Sequence, residues 1–147
     1  MPMARNVFAV LIATLSGQCA AAQCLEYEPA PVKLRGRISR QVFPGPPEFA
    51  SVKEGDTPEV AWILQLAKAV CVNANAADEL NNQKETGVTR VHLALDQADY
   101  SRYRALLHKA VVVQGTLFHA ITMHHRTAVL LRVGSISAAS APSRSRL

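Results

Sequence analysis

The stretch from Val111 to Val133 constrains the chain most. Two apolar runs rich in β-branched residues, Val111–Ala120 and Thr127–Val133, flank a short polar segment. Apolar runs of this length separated by a polar break are the signature of a β-hairpin. Three of the five histidines, His119, His124 and His125, fall at its turn. Potentially reactive side chains cluster nowhere else in the sequence.

The hairpin follows an N-terminus of a different kind. Met1 to Asn6 carries one charge, on Arg5, and Val7 to Leu15 is apolar apart from Thr14. Ala20 to Ala22 then supplies small residues of the sort that precede a cleavage site. This is the three-part layout of a secretory signal over residues 1–22, and the apolar run is too short to span a bilayer. Gln18 and Gln23 precede Cys19 and Cys24, where a lipoprotein signal needs a small residue. The mature chain is expected to start at Gln23 and to be periplasmic or secreted, with no membrane span after cleavage.

Export changes the reading of charge and cysteine. The formal charge is +5 for 147 residues. Loss of Arg5 with the signal, and of Arg144 and Arg146 with a tail, leaves the domain only slightly basic. That argues against nucleic acid as a partner, as does export itself. Cys24 and Cys71 remain in the mature chain. In an oxidising compartment an even pair points to a disulfide rather than two free thiols. With aromatic content of only 5 %, the core must rest on Val, Leu, Ile and Ala.

Val32 to Ser39 alternates and predicts a half-buried strand with Lys33, Arg35 and Arg37 outward. This basic strip is a solvated face or a contact for an acidic partner. Phe43-Pro44-Gly45-Pro46-Pro47 predicts a rigid loop that presents Phe43 and Phe49. Glu54-Gly55-Asp56 is a second turn signal. Thr57 to Val72 reads two ways. Thr57-Pro58 suits a helix start and Val60, Ile63, Leu64 and Ala67 suit a helical face, yet Ala61 to Leu66 also reads as a strand. The pattern leans to helix. Asn73 to Gly87 predicts a long exposed loop. Val88 to Leu95 predicts a strand with His92 on its solvated face. Asp99 predicts the cap of a short helix from Tyr100 to Lys109, with Tyr100, Tyr103, Leu106 and Leu107 towards the core. After Gly134 the composition predicts a disordered tail, 135–147.

With Thr57–Val72 extended, the order is three strands, a helix and two strands. That is the connectivity of a five-stranded OB-like barrel with one short helix between strands three and four, a mainly β fold in a single domain over residues 23–134. Gly36 and Gly115 suit tight barrel bends. With Thr57–Val72 helical, the alternative is a small α+β sandwich.

Several of these segments together resemble a bacterial exported family, domain of unknown function 4431. They are Cys24-Leu25-x-Tyr27-Glu28-Pro29, Phe43-Pro44-Gly45-Pro46-Pro47, Gly55-Asp56, Trp62-Ile63-Leu64-x-Leu66, Cys71-Val72 and Val113-x-Gly115-Thr116-Leu117-Phe118-His119-Ala120. The resemblance spans about Cys24 to Val133 and implies extended structure at Trp62–Leu66. It implies small periplasmic proteins and no particular activity. The family's His-x-x-Thr-x-x-His-His-Thr run aligns with His119, Thr122, His125 and Thr127, with His124 or Arg126 breaking the spacing. Ala69 stands where the family tends to have Pro.

For function, the sequence holds no Gly-x-Ser-x-Gly, no phosphate-binding Gly-rich loop and no His-Glu-x-x-His, so no catalytic activity is expected. The leading expectation is an exported binding or accessory module without a cofactor. OB barrels bind through the loops after strands one and four. Here these carry Phe43 and the Thr122, His124 and His125 turn, and the ligand would be an envelope component or protein partner. The alternative is a metal site at His119, His124 and His125, since imidazole suits Zn, Cu and Ni. Against it, adjacent His124 and His125 point to opposite faces of any strand, and no carboxylate or Cys lies nearby in sequence to complete the shell.

Overall fold

The computed structural model describes residues 23–140. The expected signal and most of the expected tail lie outside this range. Five strands form a closed barrel: β1 (Pro31–Pro44), β2 (Pro58–Val72), β3 (Glu85–Ala94), β4 (Ala110–His119) and β5 (Val129–Ala138). They close in the order β1-β2-β3-β5-β4. All neighbours are antiparallel except β3 and β5, which are parallel. A helix, α1 (Gln97–Arg102), lies between β3 and β4 in sequence. The OB-like reading of the strand order is therefore the observed one.

Alternation builds the interior. Ile38 pairs with Leu64 and Leu64 with Val91; Leu93 pairs with Leu131 and Leu131 with Leu117. All six are essentially sealed from solvent. Tyr27 packs in the same cluster and donates its hydroxyl to the Gln83 carbonyl at 3.0 Å. Burial, and then the Glu85 charge, pushes its pKa up to about 12.

Thr57–Val72 is a strand. The periodicity misled because Ala61, Trp62, Ile63 and Leu64 are all buried, on both faces of β2. A strand covered on both faces loses its alternation and reads like a buried helix segment. Trp62 and Leu64 face the barrel core, whereas Ile63 and Ala61 lie on the outer face and belong to no part of that cluster. Their cover is described below.

Other boundaries moved for local reasons. Phe43 and Pro44 close β1, so the rigid loop begins at Gly45. Asp96, not Asp99, caps α1, its Oδ1 accepting the Asp99 amide at 2.8 Å. The helix stops after six residues and a 3-10 turn, Arg104–Leu106, replaces the rest of the span expected to Lys109. The expected stripe holds: Tyr103 is buried, and Tyr100, Leu106 and Leu107 pack against the core. The 73–87 segment is not simply exposed. Within it Asn81 is 3 % exposed, and β3 already starts at Glu85. β5 runs four residues beyond Gly134, because Ile136 alternates back into the core opposite Val113.

Cys24 and Cys71 are joined by a disulfide. The Leu25 amide donates to the Cys71 carbonyl and the Asn73 amide to the Leu25 carbonyl, both at 2.8 Å. The Glu28 amide donates to the Leu117 carbonyl at 2.7 Å, fastening the N-terminal segment to β4 as well.

Candidate functional site

β1 and β4 are antiparallel, so the loop after β1 and the loop after β4 leave the barrel from opposite ends. They nevertheless meet. The β4–β5 loop, residues 120–128, folds back across the outer face of β2 and β3. An outer row runs Ser39, Ile63, His92, Leu130, Phe118 through successive strand pairings. Within it Ile63 and Leu130 are sealed from solvent although they point away from the barrel core.

Arg126 fixes the crossing. Its amide donates to His92 Nδ1 at 3.2 Å and its Nη1 to the Pro44 carbonyl at 3.1 Å. Its Nη2 pairs with the Glu59 carboxylate. The guanidinium carbon lies 5.3 Å from the Phe43 ring centre and 5.8 Å from that of Phe49, within cation–π range. The Arg126 side chain is only 8 % exposed. An arginine so far removed from water needs these partners, because an unpaired buried charge is costly.

Glu59 takes a second partner. His124 Nδ1 lies 2.9 Å from its carboxylate, and the His124 ring meets Phe49 edge-on at 5.1 Å. The His124 hydrogen bond, with the charges of His124 and Arg126, holds the Glu59 carboxyl below its ordinary pKa. Thr127 finishes the crossing: its Oγ1 accepts the His92 amide at 2.9 Å and donates to the Val129 carbonyl at 2.6 Å.

The loop after β1 is organised by one carboxylate. Asp56 accepts the amides of Glu48 at 2.9 Å, Ala50 at 2.6 Å and Ser51 at 2.8 Å. These bonds, Glu48's foremost, lower its pKa. Phe49 within this loop adopts a left-handed φ of 56°. That conformation is uncommon for a bulky residue. It places the ring between Arg126 and His124.

The three histidines of the sequence reading have three separate partners. His119 Nε2 lies 2.9 Å from Glu85 and its Nδ1 3.0 Å from the Ala120 carbonyl. Both ring nitrogens thus face acceptors. His125 Nδ1 accepts the Ile121 amide at 2.9 Å, and its ring meets Phe118 edge-on at 5.6 Å. Burial, then the neighbouring His124, lowers the His125 pKa. Thr122 contributes its carbonyl to the His125 amide. Among the described residues no group of three or more His, Cys, Asp or Glu side chains is placed to hold a metal ion. The three-histidine constellation of the alternative reading is not assembled, and nothing in the geometry favours the metal alternative. His119 and His125 do border one cavity of about 410 Å³ together with Asn81 and Phe118.

Phe43 lies at the end of β1 rather than in the loop, and its ring packs on Arg126. Lys33, Arg35 and Arg37 are exposed on the outer face of β1 where it pairs with β4, away from the histidines. Arg35 and Arg37 border a separate cavity of about 480 Å³. Arg37 is engaged with the His108 carbonyl.

Three participants escaped the sequence reading. Glu59 is a lone acid in an apolar strand. Arg126 looked like an interruption between histidine and threonine. His92 looked solvated by alternation, but the loop covers it, and burial followed by His125 and Arg126 lowers its pKa to about 4. The usable signal was an arginine two residues after His124 in a loop facing an aromatic-proline segment.

A family model described as "Domain of unknown function (DUF4431)" matches residues 90–137, which bears out the family resemblance over that segment. The match takes in His92, α1, β4, the crossing loop and nearly all of β5. Glu59, Phe43 and the disulfide lie outside it. No curated protein and no solved structure matches the chain.

Proposed function

We propose that this chain is an exported binding module without chemistry of its own, and that its contact surface is the crossing of the two loops over β2. One observation carries the reading. The loop after β4 is fastened through Arg126 to the end of β1 and to Glu59 at the start of β2, and Phe49 of the loop after β1 packs on the same guanidinium, so the two loops through which OB barrels bind form one surface. From that surface Ile121 and Met123 project at 55 % and 64 % exposure, beside the half-exposed His124 ring. Apolar side chains held out on a rigid, hydrogen-bonded loop fit a protein or envelope partner better than a solvated turn. The disulfide is consistent with an extracytoplasmic setting, and no helix among the described residues is long and apolar enough to cross a membrane.

A photo-crosslinking residue at Met123 in the full chain, expressed with its own N-terminus, tests this. A discrete adduct at position 123, missing from the same probe at exposed Lys68 and abolished by Ile121→Asp, is the expected result. Equal labelling at both positions, or none at either, removes the loop crossing as the contact surface. Mass spectrometry of the exported product should place its first residue at Gln23.

A further inference from the structure

Beyond the loop crossing, a second surface is built where β1 and β2 run past the end of the barrel. Arg40 pairs with Trp62 and Val42 with Val60 across the two strands. By alternation from Ile38 and Leu64, all four lie on the barrel's inner side. Past the last core layer that side opens towards α1 and the 3-10 turn after it. The result is a cavity of about 380 Å³ lined by Arg40, Val60, Trp62, Tyr100, Arg104 and Leu107.

Three features give it the character of a site. Trp62 and Tyr100 meet edge-to-face at 5.3 Å and 90°, a fixed aromatic floor. Val60, 41 % exposed, and Leu107 extend the apolar wall. The two guanidinium groups are exposed, and among the described residues no acid pairs with either. Asp99, the acid beside Tyr100 in sequence, is already taken by Arg102 at 3.4 Å. The turn carrying Arg104 and Leu107 is held in place at its end. The His108 amide donates to the Ile38 carbonyl at 2.8 Å, and His108 adopts a left-handed φ of 62°. Non-glycine residues in that region cluster at functional sites.

We propose that this cavity binds a small ring-bearing anion, its carboxylate or phosphate held by Arg40 and Arg104 and its ring against Val60, Trp62 and Tyr100. Guanidinium is the side chain best matched to planar, bidentate recognition of either anion. Burial raises the Tyr100 pKa, so its hydroxyl stays protonated and able to donate to the same anion.

Trp62 is the chain's one tryptophan, so its fluorescence reports on this cavity alone. The test titrates the folded, disulfide-bonded protein with phenyl phosphate, benzoate, inorganic phosphate and benzyl alcohol. A saturable change with phenyl phosphate or benzoate is expected, and which one binds more tightly tells phosphate from carboxylate. Inorganic phosphate and neutral benzyl alcohol should bind far more weakly. R40Q and R104Q should each weaken binding about tenfold, the worth of one charged hydrogen bond, while R35Q, exposed on the outer face of β1 away from this cavity, leaves it unchanged. Added salt should weaken binding to the unaltered protein, a measurement that needs no variant. The proposal falls if neither ring-bearing anion saturates, if benzyl alcohol binds as well as benzoate, or if binding is indifferent to both salt and the two arginines.

Discussion

The backbone amide of Arg126 donates to the imidazole of His92, so the β4–β5 loop is fastened to the middle of the sheet by a nitrogen that must stay unprotonated to accept. The same residue's side chain reaches the far end of β1 and the start of β2. One loop residue thereby covers the β2–β3 face through its backbone and clamps the loop after β1 through its guanidinium. On the same outer face Ile63 and Leu130 are sealed from solvent.

Stability should fall as the pH drops from about 6.5 to about 4. The folded His92 titrates at about 4, below the ordinary histidine value of 6.5. The unfolded chain therefore takes up the proton first, and its binding pulls the equilibrium towards unfolding. The stabilising contribution is complete above the unfolded value and is lost progressively on acidification. For a ring still partly exposed, it amounts to about 1–2 kcal/mol after allowance for solvent screening. His125, shifted the same way, adds to the slope. Asp56 and Glu59 are shifted downward as carboxylates, so their contribution is lost as the pH falls below their ordinary values of 3.8 and 4.5. Urea unfolding across this range should show a slope that His92→Gln flattens above pH 4. An unchanged slope in that variant would mean that another group carries the dependence.

Replacing Arg126 should cost more than replacing any single histidine of the loop. Arg126→Met keeps much of the apolar stem but strips Glu59 and the Pro44 carbonyl of a partner, at about 2–3 kcal/mol. Arg126→Lys should recover only part of this, because an ammonium cannot serve both acceptors while lying between Phe43 and Phe49. Both variants should raise amide exchange within the loop, at Ile121, His125 and position 126, while the five strands of the barrel stay protected. Loss confined to the loop supports the clamp; uniform loss across all five strands does not.

The barrel was legible because its strands advertise one face. Val32–Ser39 and Val88–Leu95 alternate cleanly, and the Val111–Val133 hairpin could be read directly. β2 resisted for the reason that makes the site interesting. Its outer face is roofed by a loop that starts some sixty residues later in sequence, so Ala61 and Ile63 are apolar where a solvated strand would be polar. The same roof hid His92, whose alternation pointed to solvent. The histidines were found by clustering, but clustering in sequence did not bring them to one point. His119 and His124 turn to distant segments, to Glu85 and Glu59, whereas His125 takes the Ile121 amide of its own loop. Pairings across such distances are set by the tertiary crossing and leave no local pattern.

Gly36 and Gly115 should not tolerate a methyl group. Gly36 pairs with Leu66 on one side and Val111 on the other, where β1 passes from one neighbour to the next. An added Cβ there would overlap the Gln65 carbonyl, and at Gly115, beside a register shift in β4, the Arg132 carbonyl. Backbone of a paired strand cannot move aside cheaply, so each alanine should cost about 3 kcal/mol or prevent folding. Gly134 offers the control: its nearest atom would lie 3.4 Å away, so Gly134→Ala should be close to neutral. Thermal unfolding of the three variants side by side decides the point.

Reducing the disulfide should lower stability by about 4 kcal/mol on the chain-entropy estimate for a bridge of sequence separation 47. The mechanism acts on the unfolded chain, so the native contacts near it should persist. The Leu25–Cys71 and Asn73–Leu25 backbone bonds and the Tyr27 hydroxyl bond to Gln83 do not need the sulfurs. The Cys24→Ser, Cys71→Ser double variant should therefore fold at low temperature, with Tyr27 still buried. It should unfold at a markedly lower urea concentration, with a steeper dependence on urea, because the freed chain exposes more surface. Comparing oxidised, reduced and double-variant protein separates the outcomes. Reduced and double-variant protein should coincide. If the reduced protein instead lost the Tyr27 contact while still folded, the bridge would be holding the N-terminal segment in place directly, and the stabilisation would belong to the native state.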